Sequence, residues 1–224
     1  MIFRLFKPLR LAFFRQKAVG LSWLVIFLLL VISNFFTCRT SSFSTGMTPE
    51  LAPKFSRYAY KVEDDQLIVI VDTELARLRL AEPYIPLDIT IANKGLYSLT
   101  LTRSSFVLID VSGEEYPLAE IDEVQQLYGK LVADSRYSYE NLPLSKHAQT
   151  SFNYFGRQRC NFFPWIPGAA RVTDVVIMPI RSYIYDRLYF RAPPRERLTE
   201  ILRLRVEAPE LEYPLEIAFQ IGTR

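Results

Sequence analysis

Between Lys17 and Arg39 the chain runs for 21 residues, Ala18 to Cys38, without a charge. At helical rise this length covers roughly the 30 Å of a bilayer's hydrocarbon core, so the segment can cross a membrane as one helix. Five cations precede it (Arg4, Lys7, Arg10, Arg15 and Lys17), no acidic residue occurs before Glu50, and only Arg39 follows closely. The positive-inside tendency then keeps the N-terminus in the cytoplasm and sends the rest of the chain to the other side. Four parts follow: a basic cytoplasmic flank (1–17), an anchor (18–38), a Ser/Thr/Pro-rich linker (39–57) and an extracytoplasmic domain (58–224).

Other readings of the same segment stay open. A cleaved signal peptide has a basic start and an apolar core, but Ser33-Asn34-Phe35-Phe36-Thr37-Cys38 carries no Ala-x-Ala exit and the apolar stretch is long for a signal core. The run into Cys38, followed by Arg39-Thr40-Ser41-Ser42, resembles a bacterial lipoprotein signal, which makes Cys38 a candidate lipidation site. It departs from that pattern in carrying Phe35 and Thr37 where an aliphatic residue and a small residue are usual. Either way the domain is tethered. Residues 3–17 could also lie as an amphipathic helix on an anionic leaflet.

The flank also distorts the overall charge. The formal net charge is +3, but of 27 basic residues five belong to the flank, leaving 22 against 24 acidic. The basic surface that nucleic acid requires is therefore not expected. Two cysteines, one histidine and no Cys-x-x-Cys pair encode neither a zinc site nor a disulfide scaffold. A domain of this size buries roughly 70% of the surface its unfolded chain exposes, so stability requires no cofactor, and none is expected. The absence of an Asn-x-Ser/Thr sequon favours a bacterial envelope over a eukaryotic secretory setting.

Period-2 patterns dominate the domain. Leu67-Ile68-Val69-Ile70-Val71 suits a strand covered on both faces. Leu87/Ile89/Ile91, Leu99/Leu101, Leu202/Leu204/Val206 and Leu215/Ile217/Phe219/Ile221 alternate with polar neighbours, as half-buried antiparallel strands do. Ile121, Val124, Leu127, Tyr128 and Leu131 instead fall at helical spacing and predict one helix over Ala119 to Asp134, with a second short one at Pro194 to Leu202. Many short strands with few helices predict a mainly β, antiparallel sandwich with an inserted helix. The stretch Tyr84 to Gly95, with Asn93-Lys94-Gly95 at its end, then Ser105 to Asp110 and Gly113 to Leu118, is similar to the immunoglobulin-like modules of tethered bacterial envelope proteins (DUF4352-type). The match spans about 35 residues and implies a fold more than a function.

Catalytic constellations are thin. His147 stands alone, acidic pairs such as Asp64-Asp65 and Asp122-Glu123 read as turns and a helix start, and nucleophile-elbow, Walker and zincin motifs are missing. The unusual stretch is Ser151 to Gly168. There Phe162, Phe163 and Trp165 crowd with Arg157 and Arg159, either as core rings or as an aromatic-cationic surface for a partner protein or a membrane interface. Arg181, Arg187, Arg191, Arg195 and Arg197 recur among tyrosines, as on a solvated strand face. The expectation is a non-catalytic, single-pass interaction or assembly module of the bacterial inner membrane with a periplasmic domain and a protein partner. One alternative is an accessory single-span subunit of a membrane complex, where Gly20, Ser22 and Ser33 would let another helix approach. A surface-glycan hydrolase is the other.

Overall fold

The computed structural model describes residues 50–140, 152–163 and 172–222. The anchor with Cys38, as well as His147 and Trp165, lies outside them. Among the described residues no helix is long and apolar enough to cross a membrane.

The chain is mainly β. A five-stranded sheet has the order β1 (Ala59–Glu63), β2 (Leu67–Asp72), β3 (Tyr84–Asn93), β9 (Ser182–Arg191), β7 (Gly156–Arg157). A four-stranded sheet runs β11 (Leu215–Gln220), β10 (Ile201–Val206), β5 (Phe106–Ile109), β6 (Glu115–Pro117), and β4 (Ser98–Thr102) pairs with β8 (Val175–Pro179). All neighbours are antiparallel except β7 with β9. The sheets enclose one core. Leu67, Val69 and Val71 of β2, Ile85, Leu87, Ile89 and Ile91 of β3, Ile184 and Leu188 of β9, and Leu204, Ile217 and Phe219 of the other sheet all fall in one cluster. At the corner, Leu118 bridges Phe190 and Ala119 N–H donates to Tyr189 C=O at 2.9 Å, so the end of β6 is stitched to β9.

The turns explain the recurring Asn, Asp and Gly residues. Asn93 is buried; its Oδ1 accepts Leu96 N–H, and its amide donates to the carbonyls of Leu96 and Met178, each at 2.9 Å. Gly95 passes so close to the Asp65 carbonyl that a Cβ would sit 2.6 Å from it. In the β5–β6 hairpin the Asp110 carboxylate accepts the amides of Ser112 and Glu114 and the Tyr116 hydroxyl, with Gly113 at φ 83°. Burial pushes the Asp110 carboxyl up, but the Ser112 hydroxyl and the Arg197 guanidinium outweigh it and hold the group well below the usual carboxylate range.

Three expectations need correction. The helix over Ala119 to Asp134 is two helices, α2 (Ile121–Leu127) and α3 (Leu131–Glu140), following a short α1 (Glu74–Leu78). Tyr128 leaves helical geometry (φ −104°, ψ 96°), and its ring packs against Tyr84 and Tyr189. The C-terminal helix is shorter than read: α4 covers Arg195–Leu198, and the chain is already in β10 at Ile201. Finally, β3 is buried on both faces, not one. Thr90 and Ala92 are as inaccessible as Ile89 and Ile91, because two further clusters cover the second face of the five-stranded sheet. One gathers Ala59, Ile70, Phe152 and Tyr183; the other Tyr84, Val124, Tyr128, Leu131, Phe163 and Tyr189. The folded unit also reaches further toward the N-terminus than composition indicated: Ala52 N–H donates to Ala218 C=O and Lys54 bridges Tyr60.

Candidate functional site

The aromatic-cationic stretch divides between inside and outside. Arg157 and Arg159 are exposed, as is Tyr154, whereas Phe162 and Phe163 are buried. The reason is the path of the chain along the edge of β9. Gly156 N–H donates to Arg181 C=O and Gln158 N–H to Tyr183 C=O, both at 2.8 Å. Asp186 then takes over with its side chain: Oδ2 accepts Phe162 N–H at 2.7 Å and the Cys160 thiol at 3.3 Å. Successive rings drop on opposite sides of the sheet, Phe162 edge-on against Phe106 in the main core and Phe163 against Tyr189 on the second face. A surface built on Phe162 and Phe163 is thereby replaced by an interior plug flanked by two exposed arginines. Burial, then the Asp186 carboxylate, pushes the Cys160 thiol far up, so it stays a protonated donor.

The arginine row is corrected at Arg187, which is wholly buried on the second face of the sheet. Its Nε and Nη2 reach Asp88 Oδ1 and Oδ2 at 2.7 and 2.8 Å, a two-pronged pair between adjacent strands, and Nη1 donates to the Asp134 carbonyl at 2.6 Å. The Asp134 carboxylate accepts Arg79 on one oxygen (2.8 and 2.6 Å) and the hydroxyls of Tyr128 (2.7 Å) and Tyr189 (3.3 Å) on the other. Across β2, Asp72 lies directly opposite Asp88 and accepts Glu74 N–H at 2.7 Å. Burial raises the Asp72 carboxyl to about 7; the Glu74 amide opposes this and the Asp88 charge adds to it. Burial likewise raises Asp186 to about 6 against its amide donors. This network joins β3, β9, α3 and Arg79. Its geometry fastens the helical insertion to the sheet, and beside it on β2 burial makes Asp72 hold its proton more tightly than a free carboxyl does.

Among the described residues the outer surface includes two shallow grooves and an apolar sheet edge. A groove of about 420 Å³ lies beside β6 and is lined by Glu114, Glu115, Pro117, Glu120, Glu123 and Arg191. Three of its acids already face cations: Glu114 with Arg197 (2.9 Å), Glu115 with Arg205 (2.7 Å) and Glu123 with Arg191 (2.6 Å). A second, of about 370 Å³, runs past Val62, Gln66, Leu211 and Tyr213. Among the described residues no group of three His, Cys, Asp or Glu side chains is placed to hold a metal. The apolar edge is that of β8. Val175, Ile177 and Ile180 are 51%, 65% and 49% exposed, beside Tyr97 at 92%. The sequence pattern reads β9 as a solvated strand face and gives no strand at β8, where the surplus of apolar residues in Val175-Val176-Ile177-Met178 over what one buried face needs is the available signal.

Comparison with protein-family models, with curated proteins and with solved structures finds no match to this chain.

Proposed function

We propose that the chain is a non-catalytic interaction or assembly module of the bacterial envelope, tethered through residues 18–38, or through a lipid on Cys38, with its β domain outside the cytoplasm. In this reading the domain is an immunoglobulin-like sandwich. The structural tasks of Asn93, Gly95, Asp110, Gly113 and Tyr116 support that assignment, since these are the residues on which the family resemblance rests. The observation that carries the functional reading is the exposed apolar pair Val175 and Ile177 on β8, with Ile180 and Tyr97 exposed where the β4–β8 ladder ends. Patches of this kind on soluble domains mark sites where another surface docks. The interior polar groups fit the same reading, because Asp134, Asp186 and Arg187 bond to neighbouring strands and helices of their own domain.

The test of placement is a reporter enzyme active only outside the cytoplasm, fused after Met47, where the folded unit begins. An active fusion is expected. An inactive one, alongside an active cytoplasmic reporter at the same junction, overturns the tethered extracytoplasmic reading.

A further inference from the structure

β8 pairs antiparallel with β4 from Ser98↔Pro179 to Thr102↔Val175, and Ile180 N–H to Tyr97 C=O continues that ladder. In an antiparallel ladder the backbone groups of successive residues point alternately toward and away from the partner strand. With Ile180 turned to β4, Met178 and Val176 turn there too, and Val175, Ile177 and Pro179 turn their groups outward. The same alternation puts the amides of Thr100 and Thr102 on the far edge of β4, and both are capped. Glu210 accepts Thr100 N–H at 3.0 Å and the Thr100 hydroxyl at 2.6 Å, and Ser105 Oγ accepts Thr102 N–H at 3.1 Å. The edge of β4 is thus capped by side chains at Thr100 and Thr102. Among the described residues that of β8 is open and apolar, with β4 as its one sheet partner.

We propose that the open edge of β8 pairs antiparallel with β8 of a second copy of this chain, about a two-fold axis at Ile177. This rests on the interaction-module reading and names its partner. Two features select a second copy. The hydrogen-bond pattern is self-complementary: Ile177 and the partner's Ile177 exchange both amide-to-carbonyl bonds, and Val175 N–H in each copy meets the Pro179 carbonyl of the other. Pro179 cannot donate, and in this register it is asked only to accept. The charges are self-complementary as well. β8 itself carries none, and exposed Asp174 and Arg181 bracket it. Antiparallel pairing at Ile177 sets each Asp174 opposite Ile180 of the other copy, next to its Arg181. Sliding the axis to Val176 keeps as many bonds but moves Asp174 opposite Met178 and away from Arg181, so the charges choose the Ile177 register. Tethering both copies in one membrane raises their effective concentration, which lets a short edge suffice.

Cysteine cross-linking of the full chain in native membranes, with Cys38→Ser as background, tests the register. Opposed residues in such a pair lie about 5.5 Å apart at Cα, within disulfide reach. Ile177→Cys is expected to give an oxidant-dependent dimer. Val175→Cys is expected to cross-link to a coexpressed Pro179→Cys chain but not to itself, because Val175 and the partner's Val175 stand about 14 Å apart. Asp174→Arg and Arg181→Asp should each lower the dimer fraction severalfold, and the double exchange should restore it. The inference is overturned if Ile177→Cys links no better than Leu127→Cys, an exposed position on α2. It is equally overturned if Val175→Cys pairs with itself as well as with Pro179→Cys. If the dimer is missing but a different protein copurifies and is lost with Ile177→Lys, the second-copy inference fails and the module reading stands. A chain unaffected by Ile177→Lys in both assays sinks both.

Discussion

Replacing Arg187 by Met removes the cation that bonds both carboxylate oxygens of Asp88 inside the domain. Arg187 is fully buried, and the Asp88 side chain keeps only 14% of its exposure, so Met leaves a carboxylate largely cut off from water and the Asp134 carbonyl without that donor. Breaking a buried pair from one side costs about 3–5 kcal/mol, most of it the desolvation of the charge left behind. In a chain of this size about 1 kcal/mol moves the midpoint by roughly 2–4 °C, so the variant should melt roughly 6–20 °C lower. Since whole domains are stable by only about 5–15 kcal/mol, a large part of the folded margin goes with it. Lys at the same position keeps a charge but not the fork, and should fall between parent and Met. The decisive comparison is the double variant Arg187→Met with Asp88→Leu. With both charges gone and volume kept, stability should return most of the way to the parent, because a buried pair and an apolar pair are nearly equivalent. Pulse proteolysis of the full chain in mild detergent across a urea series reads each value. A loss below about 1 kcal/mol for Arg187→Met, or a double variant as weak as the single, would refute the placement of this pair in the interior.

Two further outcomes follow from the same geometry. Asp72 holds its proton more tightly folded (about 7) than unfolded (3.8), so the native state binds more protons in that window and stability falls as pH rises from about 4 to about 7. Asp186, raised to about 6, adds in the same direction, while the lowered carboxyls of Asp110, Glu63 and Glu123 withdraw stability as pH falls below about 4.5. Asp72→Asn keeps an oxygen for the Glu74 amide, so it should flatten the pH 5–7 slope and exceed the parent at pH 8 by at most about 4 kcal/mol; an unchanged slope in urea midpoints sinks the assignment. Gly95→Ala should cost about 1–3 kcal/mol, since its Cβ would meet the Asp65 carbonyl at 2.6 Å, and a parental midpoint would show that the turn yields freely.

The strands that were legible in the sequence are those whose two faces differ. In β10, Leu202, Leu204 and Val206 point inward while Arg203 and Arg205 meet Glu216 and Glu115 outside, so polarity alternates with the pleat. β9 defeats that logic, because both its faces are buried and each carries a charge. Asp186 interrupts Ile184, Leu188 and Phe190 on one face, and Arg187 interrupts Tyr183 and Tyr189 on the other. What makes those charges tolerable lies far away in the chain: Asp88 is 99 residues from Arg187, and Phe162 is 24 from Asp186. A local window sees the cost and not the partner, and so reads a solvated strand. The same distance effect hid the fate of Phe162 and Phe163. Their side of the sheet is set by Asp186 on β9, and only once β9 is recognised as a buried strand does the aromatic run acquire an edge to cross.

The edge of β8 reverses the problem. Val175-Val176-Ile177-Met178 reads locally as a strand covered on both faces, yet Val175 and Ile177 face solvent. β3 is equally rich in apolar residues, and there the second face is covered by α2, α3 and the Phe152 region of the same chain. A strand composed for two covered faces that finds only one among the described residues, and whose neighbour β4 is capped by Glu210 at Thr100, carries a composition matched to a further surface. The apolar excess of β8, once set against the burial its fold supplies, is therefore the part of this sequence that points most directly outward.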